Sequence, residues 1–114
     1  MGYDGIARAL MRHEMNRGEA IDKVRVYRLL LKDHFQLENV YLYGSYADET
    51  HNDESTIDVV VVVNRVKGDY FSVSPLLWNL RKQIDSRIEP ILIERDFDDA
   101  DFLKEVQKQG IEIA

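Results

Sequence analysis

Five valines in a row, Val59 to Val63, leave this segment little choice of conformation. β-Branched side chains lose χ1 freedom in a helix and fit a pleated strand. Because strand side chains alternate sides, this strand shows an apolar surface on both and belongs inside a sheet covered on both faces. Asp58 opens the run. An acid at the mouth of a buried strand is costly unless it has partners or a ligand, so Asp58 is a candidate functional residue.

The flanking pattern predicts an α/β chain. Ile6, Leu10 and Met11 recur at helical spacing, and Gly18 predicts a break before a second helix starting near Glu19. Ile21, Val24, Tyr27, Leu30, Leu31 and Phe35 form the apolar stripe of that helix. Val40-Tyr41-Leu42-Tyr43 predicts a strand at about 39–43, stopped by Gly44. Residues 44–56 read as a loop with room for one helical turn after Gly44-Ser45. A connection around Lys67-Gly68-Asp69 leads to a helix with Ser74 as N-cap and Pro75 as its first residue. Leu76, Leu77, Leu80 and Ile84 form its buried stripe, with Trp78 in the core.

Residues 88–93 predict a third strand, which lies at the sheet edge or begins close to Pro90, because that proline has no N–H to donate. Asp98 or Asp99 caps a last helix through Phe102, Leu103 and Val106, closed by Gly110, and Ile111-Glu112-Ile113 adds a short strand. The second and third strands, joined through a helix, are expected to be parallel. The 44–56 loop allows the first two to lie antiparallel. The expectation is one domain over 1–114, a small mixed sheet of three to four strands flanked by helices.

Charge is uneven along the chain. Residues 38–58 hold six acids and no Lys or Arg, and residues 94–114 hold seven acids against three bases, within a net charge of −6. An acidic surface repels phosphate backbones, which argues against nonspecific nucleic-acid binding. The absence of cysteine removes disulfides, thiolate metal sites and a cysteine nucleophile. No apolar run reaches membrane-spanning length and the N-terminus lacks a signal-peptide layout, so the cytoplasm is the expected location.

Three features converge in the predicted sheet. Gly44-Ser45 ends the first strand, offering backbone N–H groups and a hydroxyl suited to a phosphate. Asp58 begins the second, with Thr56 two residues earlier on the same face. Glu89 begins the third, beside Asp58 if those strands are parallel. The plainer alternatives are a capping serine, a solvated strand-end acid, and a pairing of Glu89 with Arg87. His13, His34 and His51 are not at metal-ligand spacing and read as surface or loop residues. Asp96, Asp98, Asp99 and Asp101 lack the spacing and terminal glutamate of an EF-hand loop.

The stretch Val40 to Ala47, then Thr56-Ile57-Asp58-Val59-Val60, then Glu89, resembles the signature of the DNA polymerase beta-like nucleotidyltransferase superfamily. That signature is a strand, Gly-Ser, a loop, acid-hydrophobic-acid on a second strand, and a third acid on a later one. The chain is most similar to the minimal nucleotidyltransferases, single-domain proteins often paired with a helical protein of the HEPN type. The resemblance implies transfer of a nucleoside monophosphate, AMP from ATP, to an acceptor hydroxyl with release of pyrophosphate. It implies that Gly44 and Ser45 hold the triphosphate and that Asp58 and Glu89, with Thr56 as a weak third contact, hold two Mg²⁺ or Mn²⁺ ions. It also implies an acceptor, or a subunit presenting it, that arrives in trans. Two divalent ions about 4 Å apart repel by roughly 16 kcal/mol at an effective dielectric near 20, hence the carboxylates.

The sequence departs from the signature at two places. Thr56 stands where the first acid is expected and brings no charge. Asp48 and Glu49 stand where many relatives carry Arg then Gly. Asp53 and Glu54 are near enough in sequence to replace the missing ligand. Two expectations therefore stand side by side: an active nucleotidyltransferase, and a catalytically degenerate module that acts by binding, and in antitoxin fashion neutralising, a partner protein.

Overall fold

The computed structural model describes residues 15–64, 70–97 and 101–114. The order is α1 (Arg17–Lys32), β1 (Leu37–Tyr43), a single helical turn α2 (Ser45–Asp48), β2 (Ile57–Val63), α3 (Tyr70–Arg81), β3 (Ile88–Glu94), a 3₁₀ turn (Arg95–Phe97), α4 (Phe102–Gln109) and β4 (Ile111–Glu112). The sheet order is β3-β2-β1-β4. β2 pairs antiparallel with β1 and parallel with β3, and β4 pairs antiparallel with β1, giving the expected mixed α/β sheet.

The valine strand is interior and covered on both sides. Val59, Val61 and Val63 join a core with Val24, Tyr27 and Leu31 of α1 and Leu77 of α3. Val60 and Val62 face the other way, against Leu103 and Val106 of α4. All five valines are at most 3% exposed.

Pro90 is the third residue of β3, in register with Val59, and β3 is an edge strand as its proline requires. Ile57 N–H donates to Arg87 C=O at 2.8 Å, so by the alternation of a parallel ladder the odd-numbered residues of β3 bond to β2. Pro90 then faces the free edge, where its missing N–H costs no ladder bond.

Several local expectations need correction. α1 starts at Arg17, not Glu19, because Asn16 caps it: Asn16 Oδ1 accepts from Glu19 N–H at 2.8 Å, and Gly18 sits inside the first turn. It ends at Lys32, so His34 lies on the following turn and Phe35 packs on the core from beyond the helix. α3 begins at Tyr70, which places Pro75 inside the helix rather than at its start. The apolar stripe runs back through half-buried Val73, and the helix continues across the one backbone bond that the proline removes. Trp78 is 39% exposed rather than core, with the Arg81 guanidinium stacked 4.6 Å from its ring centroid. α4 has Asp101 at its N-cap, in the left-handed region at φ 54°. The helix expected over Ile6–Met11, the Lys67-Gly68-Asp69 connection and the Asp98 or Asp99 cap lie outside the described residues.

Gly110 closes α4 for reasons of space. A Cβ there would sit 2.7 Å from the Val106 carbonyl oxygen and 3.1 Å from that of Leu42. The glycine lets the helix end come down onto β1, and Ile113 N–H then donates to Val40 C=O at 2.8 Å.

Candidate active site

The sheet brings the sequence-predicted residues to one end. Asp58 is in register with Glu89 on β3 and with Tyr43 on β1, so these three side chains share a face. Gly44 follows Tyr43 and adopts φ 75°, ψ −148°, a backbone region essentially restricted to glycine. A Cβ at Gly44 would lie 2.5 Å from Asp58 Oδ2, so the turn is pressed directly against that carboxylate. Ser45 opens α2 and is half-buried, while Tyr46 and Ala47 anchor the turn in the core.

Thr56 is beside Asp58 but already engaged. Its hydroxyl donates to Asp58 Oδ1 at 2.9 Å. The position that resembles the first acid thus supplies a neutral donor to the second, not a further negative ligand. Asp53 and Glu54 do not replace it. They are exposed, and their loop closes on itself: Asn52 N–H donates to Ser55 Oγ and Glu54 N–H to Asn52 Oδ1, both at 2.8 Å. Among the described residues, no group of three or more His, Cys, Asp or Glu side chains is placed to hold a metal ion.

Glu89 is exposed, and its side chain makes no hydrogen bond or ion pair with any described residue. The pairing with Arg87 is not made, because Arg87 is bound to Asp85 by its main chain at 2.8 Å, by Nε at 3.0 Å and by Nη2 at 2.8 Å. Lys23 of α1 adds a fourth contact to Asp85 at 3.1 Å. Bonding from Arg87 holds the Asp85 carboxyl well below the usual carboxylate range, against the opposing pull of its own burial.

Tyr43 and His51 make contacts that the sequence motif does not reveal. Tyr43 lies beside Asp58, its ring edge-on to Phe102 of α4 with centroids 5.5 Å apart. Partial burial, then Glu105, Asp48 and Asp58, push its phenol above its ordinary value. His51 is stacked on Tyr46, centroids 4.2 Å apart, on the loop behind α2. The alternation of β1 signals Tyr43; nothing local in the sequence signals Glu105 or the His51 stack.

Glu49 adopts φ 61° at the end of α2, in the left-handed region. That is the position where the resemblance leads one to expect glycine. Its exposed ion pair with Arg17, at 3.6 Å, offsets little of the strain. Glu49→Gly is expected to raise stability by about 0.5–1 kcal/mol, the relief of left-handed strain less the added chain entropy of glycine. Urea unfolding checks this, and a loss of stability would contradict it.

The sheet thus wedges a glycine turn against one acid and sets a second acid in register beside it. The family model described as "Polymerase beta, Nucleotidyltransferase" matches residues 28–114, and the chain belongs to that family. The crystal structure of a candidate nucleotidyltransferase from Sulfolobus solfataricus is similar, with a TM-score of 0.61 over 84% of this chain and 80% of that one. At 20% identity this likeness shows the fold. No curated protein matches the sequence. No helix among the described residues is long and apolar enough to cross a membrane.

Proposed function

We propose that this chain binds a nucleoside triphosphate with a divalent cation where Gly44, Asp58 and Glu89 meet, and transfers a nucleoside monophosphate, AMP from ATP, to an acceptor hydroxyl presented in trans. The observation that carries the reading is the convergence itself: the Gly44 backbone against Asp58, and Glu89 in register beside it. Ser45 and the Gly44 backbone would hold phosphate, and Asp58 and Glu89 the cation, with the Thr56 hydroxyl as a weak third contact. The acceptor hydroxyl releases its proton to solvent as its oxygen attacks the α-phosphorus, the bond to the oxygen bridging to the β-phosphate breaks, and pyrophosphate leaves with that electron pair.

Two carboxylates suit one Mg²⁺ or Mn²⁺, since Mg²⁺ keeps several waters and is held by one or two carboxylates plus substrate phosphates. They fall short of what a pair of ions needs, so a second ion would require a ligand beyond these two carboxylates. When bound, the cation supplies charge neutralisation at the triphosphate and its leaving group.

The hydrogen bond from Thr56 to Asp58 favours a second reading, a lapsed site on a module that binds a partner protein of helical HEPN type. Calorimetry with ATP and Mg²⁺ or Mn²⁺, on wild type and Thr56→Asp, separates the two. The transferase reading expects metal-dependent binding in wild type, tightened about tenfold or more by Thr56→Asp as a negative ligand is restored. Binding gained only in the variant supports the partner-binding reading. No binding in either overturns the transferase reading.

A further inference from the structure

Asp85 and Arg87 lie on the turn that delivers β3, outside the residues assigned above to nucleotide or cation. The Asp85 side chain is only 9% exposed, yet all of its accepting capacity is used. Oδ1 takes the main-chain N–H and Nε of Arg87, and Oδ2 takes Arg87 Nη2 and Lys23 Nζ. Such a fork-on-carboxylate pairing fixes the guanidinium plane as well as its charge. The same turn is held from two further directions. Ile88 N–H donates to Asp85 C=O at 3.2 Å, and Arg81 Nη1 donates to the carbonyls of Ser86 at 2.6 Å and Ile88 at 3.0 Å. Two residues along the chain, the Glu89 carboxylate has no partner among the described residues. A guanidinium so close in sequence is the natural mate of a free carboxylate, and it is turned away.

We propose that Asp85 is a positioning residue for Glu89: it captures the Arg87 guanidinium and thereby keeps the Glu89 carboxylate unpaired. The inference rests on the reading of Asp58 and Glu89 as cation ligands for its purpose, but not for its geometry. An arginine on Glu89 would compete directly with a divalent cation. By holding Arg87 on the side of Met15, whose sulfur is 3.8 Å from Nη2, Asp85 separates the fold's ion pair from the site's charge. Lys23 ties the arrangement to α1, so the start of β3 and the freedom of Glu89 are set by one half-buried acid.

The test uses the full chain labelled with ¹⁵N, with Asp85→Asn, Asp85→Asn/Glu89→Gln, Arg87→Gln and Asp85→Asn/Arg87→Gln variants. Asp85→Asn keeps an oxygen to accept from the Arg87 main chain, and the amide spectrum reports whether the fold is kept. The first readout is the Arg87 Nε–H resonance. It should be protected from exchange in wild type, should stay protected in Asp85→Asn because the guanidinium moves to Glu89, and should lose protection when Glu89→Gln is added. Loss of protection in Asp85→Asn alone, or indifference to Glu89→Gln, overturns the proposal.

The second readout is Mn²⁺ broadening of the Asp58 and Glu89 amides. Asp85→Asn should need about tenfold more Mn²⁺ or beyond, the usual scale for disturbing a group that orients a ligand. Removing Arg87 in the same variant should restore wild-type behaviour. If Asp85→Asn fails to fold, Arg87→Gln alone still decides: unchanged Mn²⁺ broadening agrees with an arginine kept off Glu89, and a marked tightening overturns the proposal. A wild type that shows no Mn²⁺ effect, together with an Nε–H that follows Glu89, overturns the cation reading of the site and upholds the role of Asp85.

Discussion

Gly44→Ala is expected to cost about 3 kcal/mol and to disturb the site at the same time. The backbone at φ 75° and ψ −148° admits almost only glycine, and holding an L-residue in such a region costs of order 1–3 kcal/mol. The new methyl carbon would also start 2.5 Å from Asp58 Oδ2, so the carboxylate must move or β1 must lift from β2. If the side chain moves, the hydrogen bond from Thr56 to Asp58 breaks with it. Thermal unfolding and nucleotide calorimetry on the same variant measure both effects. Wild-type stability would show that the turn is not the tight element described here.

Tyr27→Ala is the second large effect, at about 3–5 kcal/mol, the usual cost of deleting a buried aromatic side chain. Tyr27 is fully buried between α1 and the sheet, and its hydroxyl donates to the Leu77 carbonyl of α3 at 2.7 Å. Tyr27→Phe keeps the ring and should lose only about 1 kcal/mol, since one hydrogen bond is removed. The two variants thus separate ring from hydroxyl in a urea series. Burial pushes the Tyr27 phenol well above its ordinary value of 10.0, with Arg81 pulling weakly the other way. The folded state therefore holds this proton more tightly than the unfolded chain. The contribution is complete below pH 10 and is lost as pH rises beyond it, so wild type should weaken in alkali more steeply than Tyr27→Phe.

How much of this was legible in the sequence depends on the range of the interaction concerned. The valine run marks β2 as interior, and Pro90 leaves β3 either at the edge it occupies or starting near the proline, because both act through the backbone ladder. The register of Asp58 with Glu89 followed from parallel pairing. Helix starts were less readable. Gly18 masks the Asn16 cap in the sequence, and Pro75 reads as a first helical residue although α3 runs back past it through half-buried Val73. The pairing of Arg87 could not be read at all. Asp85 and Glu89 are both two residues from it, and only the turn geometry and Lys23 from α1 decide between them. Likewise, that Thr56 bonds to Asp58 is a matter of side-chain rotamers, which spacing does not encode.

The interior position of β2 has a consequence outside the native state. Ile57 to Val63 is seven residues of high β-propensity with one charge, Asp58, and no proline, the composition that stacks between chains when unfolded. In the native protein β1 and β3 shield both of its edges. Before they do, Asp58 is the gatekeeper that keeps nascent chains apart. Neutralising it to probe the site will thus also lower refolding yield, and loss of soluble protein in such a variant speaks to aggregation rather than to chemistry.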